Sequence, residues 1–309
     1  MSAAVLFGKL PARADFVRRG EPTPILDAVD GLTQRALRAG TDDRPGPLYR
    51  VILAPPSGPH VLAGAMQLSQ DSVGRRYPLV VGRAVGREHL DPATAASWPL
   101  RWRALTGAAA SVVDAALARA RPLDEIEAAL AALPQLASPV GRSAEVDRHV
   151  AALAALPAHA LWTRIWGRAD PARAGHVFCR LASSPRGPLA YGLAFPLPPP
   201  APDFGRSDAV AVWLAVCWHL VRTPPTLPTL LWRDGRPGML YVFFAPLAPA
   251  TFRALLTGTA DTDRIAHVAA GSDNALSRSV SALPSAFRRL LRDPHRSVAD
   301  VLARLHTLC

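Results

Sequence analysis

The chain has 309 residues, half of them hydrophobic and 19% charged, enough for one large core or two ordinary ones and too apolar for wholesale disorder. Its 35 basic and 24 acidic side chains leave a formal charge of +11, yet the arginines come in ones and twos (Arg75 and Arg76, Arg101 and Arg103, Arg288 and Arg289) with no long basic run. That spread, without interleaved aromatics, argues against nucleic acid and leaves an acidic protein partner open. Cys179, Cys217 and Cys309 lack CxxC spacing and read as reduced thiols. MSAAVLFGKLP has no basic residue before its apolar patch, so no signal peptide is expected. AVAVWLAVCWHLV, from Ala209, is shorter than the roughly 20 residues of a membrane span, and a cytoplasmic protein is the expectation.

In chain order, FGKLPARADFVRRGEP, Phe7 to Pro22, is expected to form a first strand, a charged turn and the lead into a helix, with Phe7 and Phe16 buried and Asp15 fixing the turn. A helix follows, capped by Thr23, with Pro24 at its first position, Ile25, Leu26, Val29, Leu32, Ala36 and Leu37 at helical spacing, and Gly40 at its end. LYRVILAPP and HVLAGAMQLSQ read as a hairpin around PPSGPH; RRYPLVVGRAV adds a strand with Tyr77, Leu79 and Val81 on one face, after a loop in which Gly74 supplies backbone freedom. From Thr94 to Leu133 the pattern is helical, with Asp124 and Glu127 as a capping pair. Ser138 to Leu161 is Ala-rich and partly helical, and HVFCRLA and LAYGLAFPL read as a strand pair around SSPRGP. After the proline-dense LPPPAPDFG come a helix capped by Ser207, a hairpin of TLLWRDG and GMLYVFFAP, a helix ending at Gly258, and two short C-terminal helices. These elements predict an α/β (α+β) protein, central mostly antiparallel sheets flanked by helices, in two α/β units: residues 1–135, a connecting segment 136–200, and 201–309.

No catalytic constellation stands out. There is no GxSxG elbow, SxxK pair, Walker loop or GxGxxG, and the histidines are scattered singly, so neither a metal nor a cofactor is expected. Ser69, Asp71 and His60 could be assembled into a triad, which gives the alternative of a small hydrolase or ligand-binding enzyme; a serine and an aspartate ordering a loop is the simpler account.

GKLPARADFVRRG and SQDSVGRR carry more chemistry than packing requires. Each places an aspartate, Asp15 or Asp71, a few residues before arginines, Arg18 and Arg19 or Arg75 and Arg76, beside a glycine. The aspartates could accept backbone N–H groups while the arginines stay solvated. Alternatively the two loops lie side by side and form one charged surface for a protein partner.

Both stretches carry a resemblance. FGKLPARADFVRRGEP resembles the opening GKLPxxGDFVxRxLP of the TagF family, also called ImpM, of bacterial type VI secretion, and SQDSVGRRYPL resembles its PSxDxVGRxFPL. PTLLWRDGRPGMLYVFFAPLAPATFRALLTG and LPSAFRRLLRDPHRSVADVL are similar to later segments of the family. Ala14, Leu68, Glu21 and Arg233 depart from its pattern, standing where glycine, proline, leucine and an aromatic are usual. The resemblance implies a non-enzymatic, post-translational repressor of secretion that binds an FHA-domain scaffold protein. Some relatives carry a PP2C-type phosphatase, whose metal-binding aspartates are not seen here. On this chain the expected partner surface is Lys9, Asp15, Arg18, Asp71 and Arg75, supported by Gly8, Pro11, Phe16, Gly74, Tyr77 and Pro78.

Overall fold

A computed structural model of the chain describes residues 3–20, 24–38, 46–55, 58–90, 92–118, 121–135, 144–183, 191–202, 204–220, 227–235, 237–259 and 264–308. Thr23, Gly40, Glu21, part of the PPSGPH turn and most of SSPRGP lie outside these residues.

The first part of the chain gives strands β1 (Ala3–Gly8) and β2 (Val17–Arg19), helix α1 (Pro24–Leu37), and strands β3 (Tyr49–Leu53), β4 (His60–Gln70) and β5 (Arg76–Gly86). A helical stretch follows: α2 (Trp98–Arg101), α3 (Arg103–Ala118), α4 (Leu123–Ala131), α5 (Ala144–Ala155), α6 (Ala158–Trp166) and α7 (Pro171–Ala182). The remainder is β6 (Gly192–Leu197), α8 (Arg206–Leu220), β7 (Thr229–Arg233), β8 (Gly238–Phe243), α9 (Pro249–Thr257), β9 (Ile265–His267), α10 (Asp273–Ala282), α11 (Ser285–Arg292) and α12 (Val298–Leu305).

All nine strands of the described residues form one sheet in the order β2-β1-β5-β4-β3-β7-β8-β6-β9, antiparallel except for the β6–β9 pair. The early and late strands meet at β3–β7, where Val51 faces Leu231, and the Thr229 hydroxyl accepts the Ala54 N–H at 3.0 Å. Both faces of the sheet are covered, so its strands read as near-continuous apolar runs. On one face Val5, Phe7, Tyr49, Val51 and Met66 pack with Ile25 and Leu26 of α1 and Phe252 of α9. On the other, Leu6, Ile52, Ala63, Ala65 and Val81 meet a thicker helical layer that buries Trp98, Trp162 and Trp213.

Several sequence expectations change. HVFCRLA is the last part of α7, not a strand: Asp170 accepts the Arg173 N–H at 2.9 Å, Pro171 opens the helix, and Ala174, Val177, Phe178 and Leu181 recur at helical spacing on its buried face. Ser207 lies within the first turn of α8; its neighbour Asp208 performs the capping, accepting the Gly205 N–H at 2.5 Å. The α4 N-cap position is Pro122, with no side-chain cap from Asp124. Tyr77 packs on the α1 side, away from Leu79 and Val81, because its ring meets Phe7 and its hydroxyl bonds Asp30. Gly258 ends α9 in the left-handed conformation, as expected.

Candidate partner interface

The site begins where β1 must end. Gly8 has φ +129°, and a Cβ there would strike the Pro78 carbonyl, so the strand can lie close against β5 only with glycine at this position. The chain then turns at Pro11, with the Arg13 N–H bonding Leu10 O at 3.1 Å, and returns as β2, which pairs with β1 as an antiparallel edge. The expected strand, turn and helix therefore contain an additional short strand.

The SQDSVGRR loop joins β4 to β5 and is organised by one carboxylate. Asp71 Oδ1 accepts the N–H groups of Val73 at 3.1 Å and Arg75 at 2.7 Å, while Oδ2 accepts Arg75 Nε at 2.8 Å. Gly74, at φ +88°, makes the reversal. Across the gap, Lys9 Nζ reaches Asp71 Oδ2 at 2.5 Å. The Ser72 N–H bonds Arg13 O at 3.1 Å, and the Arg75 guanidinium bonds the Ala14 carbonyl. The two loops are thus bolted together at three points, as their shared character suggested.

Lys9 is the chain's only lysine, among 35 basic residues. Its position explains the exception: a compact ammonium on a flexible stem fits a nearly closed site, with 11% of the side chain exposed, where a planar guanidinium fork would need more room. Burial alone would raise the Asp71 pKa, but the bonds from Lys9, the Arg75 amide and guanidinium, and the Val73 amide outweigh it and hold the carboxyl below the usual range. Asp71 is therefore an anion within the framework, not one offered to a partner.

The exposed groups differ from the expected list. Phe16, expected in the core, is 42% exposed, lying edge-on to Phe7 and Tyr77 with ring centroids 4.8 and 5.1 Å away. Two aromatic neighbours hold the ring at the rim of the core while one face remains in water. Val73 is 62% exposed at the tip of the second loop. Asp15 and Arg18 are exposed, Arg18 pairing with Asp27 at 2.9 Å, and Arg75 keeps 60% of its side chain in solvent. Arg19 pairs with Glu127 of α4, and Arg13 lines a cleft of about 450 Å³ between this corner and Leu123, Asp124 and Glu127. Arg13 and Val73 were not among the residues expected to form the partner surface. An apolar residue in the otherwise polar DSVGRR was the available sign of the second.

The Ser69–Asp71–His60 set does not assemble. His60 opens β4 and Ser69 lies nine residues along the same strand, a separation of about 30 Å at roughly 3.3 Å per residue. Asp71 is already committed to Lys9 and Arg75. Among the described residues no three His, Cys, Asp or Glu side chains group to hold a metal ion, and no helix is long and apolar enough to cross a membrane.

Residues 5–133 match the family model described as the TagF N-terminal domain, type VI secretion system-associated. This segment is a TagF N-terminal domain. It spans β1 to β5 and α1 to α4, so Lys9, Asp15, Arg18, Asp71 and Arg75 all fall inside the TagF region, while β6 to β9 complete its sheet from beyond it. No curated protein gives a significant match. Among solved structures, the chain is similar to the crystal structure of PA0076 from Pseudomonas aeruginosa PAO1, at 18% identity over 84% of this chain and 96% of that one, with a TM-score of 0.47.

Proposed function

We propose that this TagF-domain protein is a non-catalytic accessory protein of type VI secretion, restraining the system after translation by binding an FHA-domain scaffold component in the cytoplasm. The observation that carries a binding role is the locked pair of loops. A buried ion pair, a buried carboxylate with four hydrogen-bond donors and two strained-for-glycine turns converge to present Phe16 and Val73 to water. A surface meant only to be solvated has no need of that framework, since buried ion pairs add little net stability over apolar packing. Aromatic and arginine side chains on a rigid support are the composition of binding hot spots.

Titration calorimetry of the purified chain against the FHA-domain scaffold of the same secretion system tests this reading, with an Asp15→Ala, Arg75→Ala double variant alongside. Saturable binding by the wild type, lost in a variant whose circular dichroism is unchanged, supports it. A wild type that fails to bind refutes the assignment of that partner.

A further inference from the structure

We infer that the outer face of α11, with the turn that follows it, is a second docking surface, outside the TagF region, for an acidic segment of a partner protein. The inference goes beyond the regulator reading and does not depend on it. From residue 276 to residue 299 the chain carries five arginines, Arg278, Arg288, Arg289, Arg292 and Arg296, against one carboxylate, Asp293. That carboxylate is used locally: it accepts the His295 N–H at 3.0 Å and Arg296 Nε at 3.1 Å. At about 3.6 residues per turn, Arg288, Arg292 and Arg289 fall within an arc of roughly 100° on the side of α11 turned away from the buried Phe287 and Leu291. Arg289 and Arg292 are exposed and have no ion-pair partner among the described residues.

The helix that carries these charges is fixed at both ends. Phe287 meets Phe178 of α7 edge-on with ring centroids 5.9 Å apart, Arg288 reaches Ser281 O of α10 at 3.3 Å, and the Ala158 N–H of α6 bonds Arg296 O at 2.7 Å. Arginines in a last turn complement the helix dipole, which accounts for Arg289 and Arg292 taken singly. Taken together they oppose the helix, since Arg288 and Arg292 are like charges at i,i+4 and Arg289 and Arg292 at i,i+3. A one-signed cluster held on a rigid support is matched by carboxylates, each of which a guanidinium fork can grip with two parallel bonds. Nucleic acid fits less well: the large hydrophobic side chains exposed among the described residues are Phe16, Val73 and Val150, and none lies on α11 to offer a stacking platform. A membrane fits less well too, because the apolar face of α11 is already packed on α7 and has nothing left to insert.

A fluorescein-labelled peptide of alternating glutamate and serine, beside its glutamine counterpart, tests the surface by anisotropy on the full chain at low and moderate salt. The glutamate peptide should bind saturably and more weakly as salt rises, with a loss of about tenfold or more in an Arg289→Glu, Arg292→Glu variant whose circular dichroism is unchanged. Arg289→Gln, Arg292→Gln, which removes the charge without reversing it, should show a smaller loss in the same direction. An Arg35→Glu, Arg38→Glu control makes the same change in net charge at two exposed positions at the end of α1 and should leave binding within about twofold of wild type. Failure of the glutamate peptide to bind, equal binding of the glutamine peptide, or equal losses in the two charge-reversal variants would overturn the inference. So would a single-stranded oligonucleotide or a phosphatidylglycerol vesicle that bound through Arg289 and Arg292 more tightly than the glutamate peptide. The FHA-domain scaffold takes no part in these titrations, so their failure would leave the regulator reading where it stands.

Discussion

The N-terminal corner and the aromatic layer over α6 to α8 are held together by opposite means. In the corner, the buried Asp71 carboxylate is held between Lys9 and the half-exposed Arg75, and both of its oxygens have donors. In the layer, Trp162, Trp166, Trp213, Phe178 and Phe195 stack and tilt against one another at centroid distances of 5.0 to 6.3 Å, and the binding is dispersion and excluded water. A polar lock fixes residue identity, because lysine, aspartate and glycine each have one workable replacement or none. A packed layer fixes volume, which many apolar combinations satisfy. The first therefore leaves a motif in the sequence and the second does not. The difference predicts distinct failures.

The largest expected loss is in the layer. Trp213 is fully buried, and its indole N–H bonds Pro196 O at 3.0 Å. Trp213→Ala should cost about 3–5 kcal/mol in urea unfolding through lost transfer energy and an unfilled cavity. A loss under about 1 kcal/mol would mean that this layer is not the core of the protein.

Next comes Lys9→Met. It removes the ammonium while leaving Asp71 buried, so stability should fall beyond what an exposed ion pair is worth, and amide exchange should accelerate at residues 71–75 and 13–16 while the α6–α8 layer keeps its protection. Lys9→Arg should rescue the charge and not the fit. Were Lys9→Arg indistinguishable from wild type, the argument from side-chain shape would fail.

Acid should separate the regions in order. Burial is the main cause that lowers the pKa of His176, offset in part by its bond to Ala270 and helped by Arg180 and Arg173; burial and then His306 lower that of His219. Both rings bind protons more readily when unfolded, so their contribution is whole above the ordinary histidine value of about 6.5 and is lost as pH falls below it. Asp71 is also depressed, and for a carboxylate the stabilisation is present above the unfolded value of about 3.9 and lost only below it. Exchange mapped at pH 7, 5 and 3 should show α7 and α8 loosening first and the Lys9 corner last. The reverse order would contradict the assignment of either set.

Much of the frame was legible. Strands β3, β4, β5, β7 and β8 and helices α1, α8 and α9 followed from apolar runs, proline and glycine placement, since both faces of the sheet are buried and the turns need particular residues. The two motif loops could be paired on paper because each sets an aspartate before arginines and beside a glycine, although it is Asp71 that organises its turn, while the first turn closes through the Arg13 N–H on Leu10 O. What failed was direction and burial. HVFCRLA has strand-like content over a few residues, and only Asp170 and Pro171 ahead of it mark the helix. Phe16 looked like core because it is aromatic; its neighbours in space, Phe7 and Tyr77, come from strands whose pairing no local pattern records. β9 and α10 were missed, the first being only three residues long.

The smallest effect on stability is expected at Phe16, and it is the most telling. The ring already gives up part of its burial to solvent, so Phe16→Ser should change unfolding free energy far less than Trp213→Ala, by about 1 kcal/mol or less, the loss coming mainly from its edge contacts with Phe7 and Tyr77. If the corner is an interface, the same change should remove partner binding while the lock beneath stays closed, seen as unaltered exchange at the Arg75 amide. A large stability loss would place Phe16 with the aromatic layer as a packing residue, and the contrast between the two regions would then end at the ring and not at the surface.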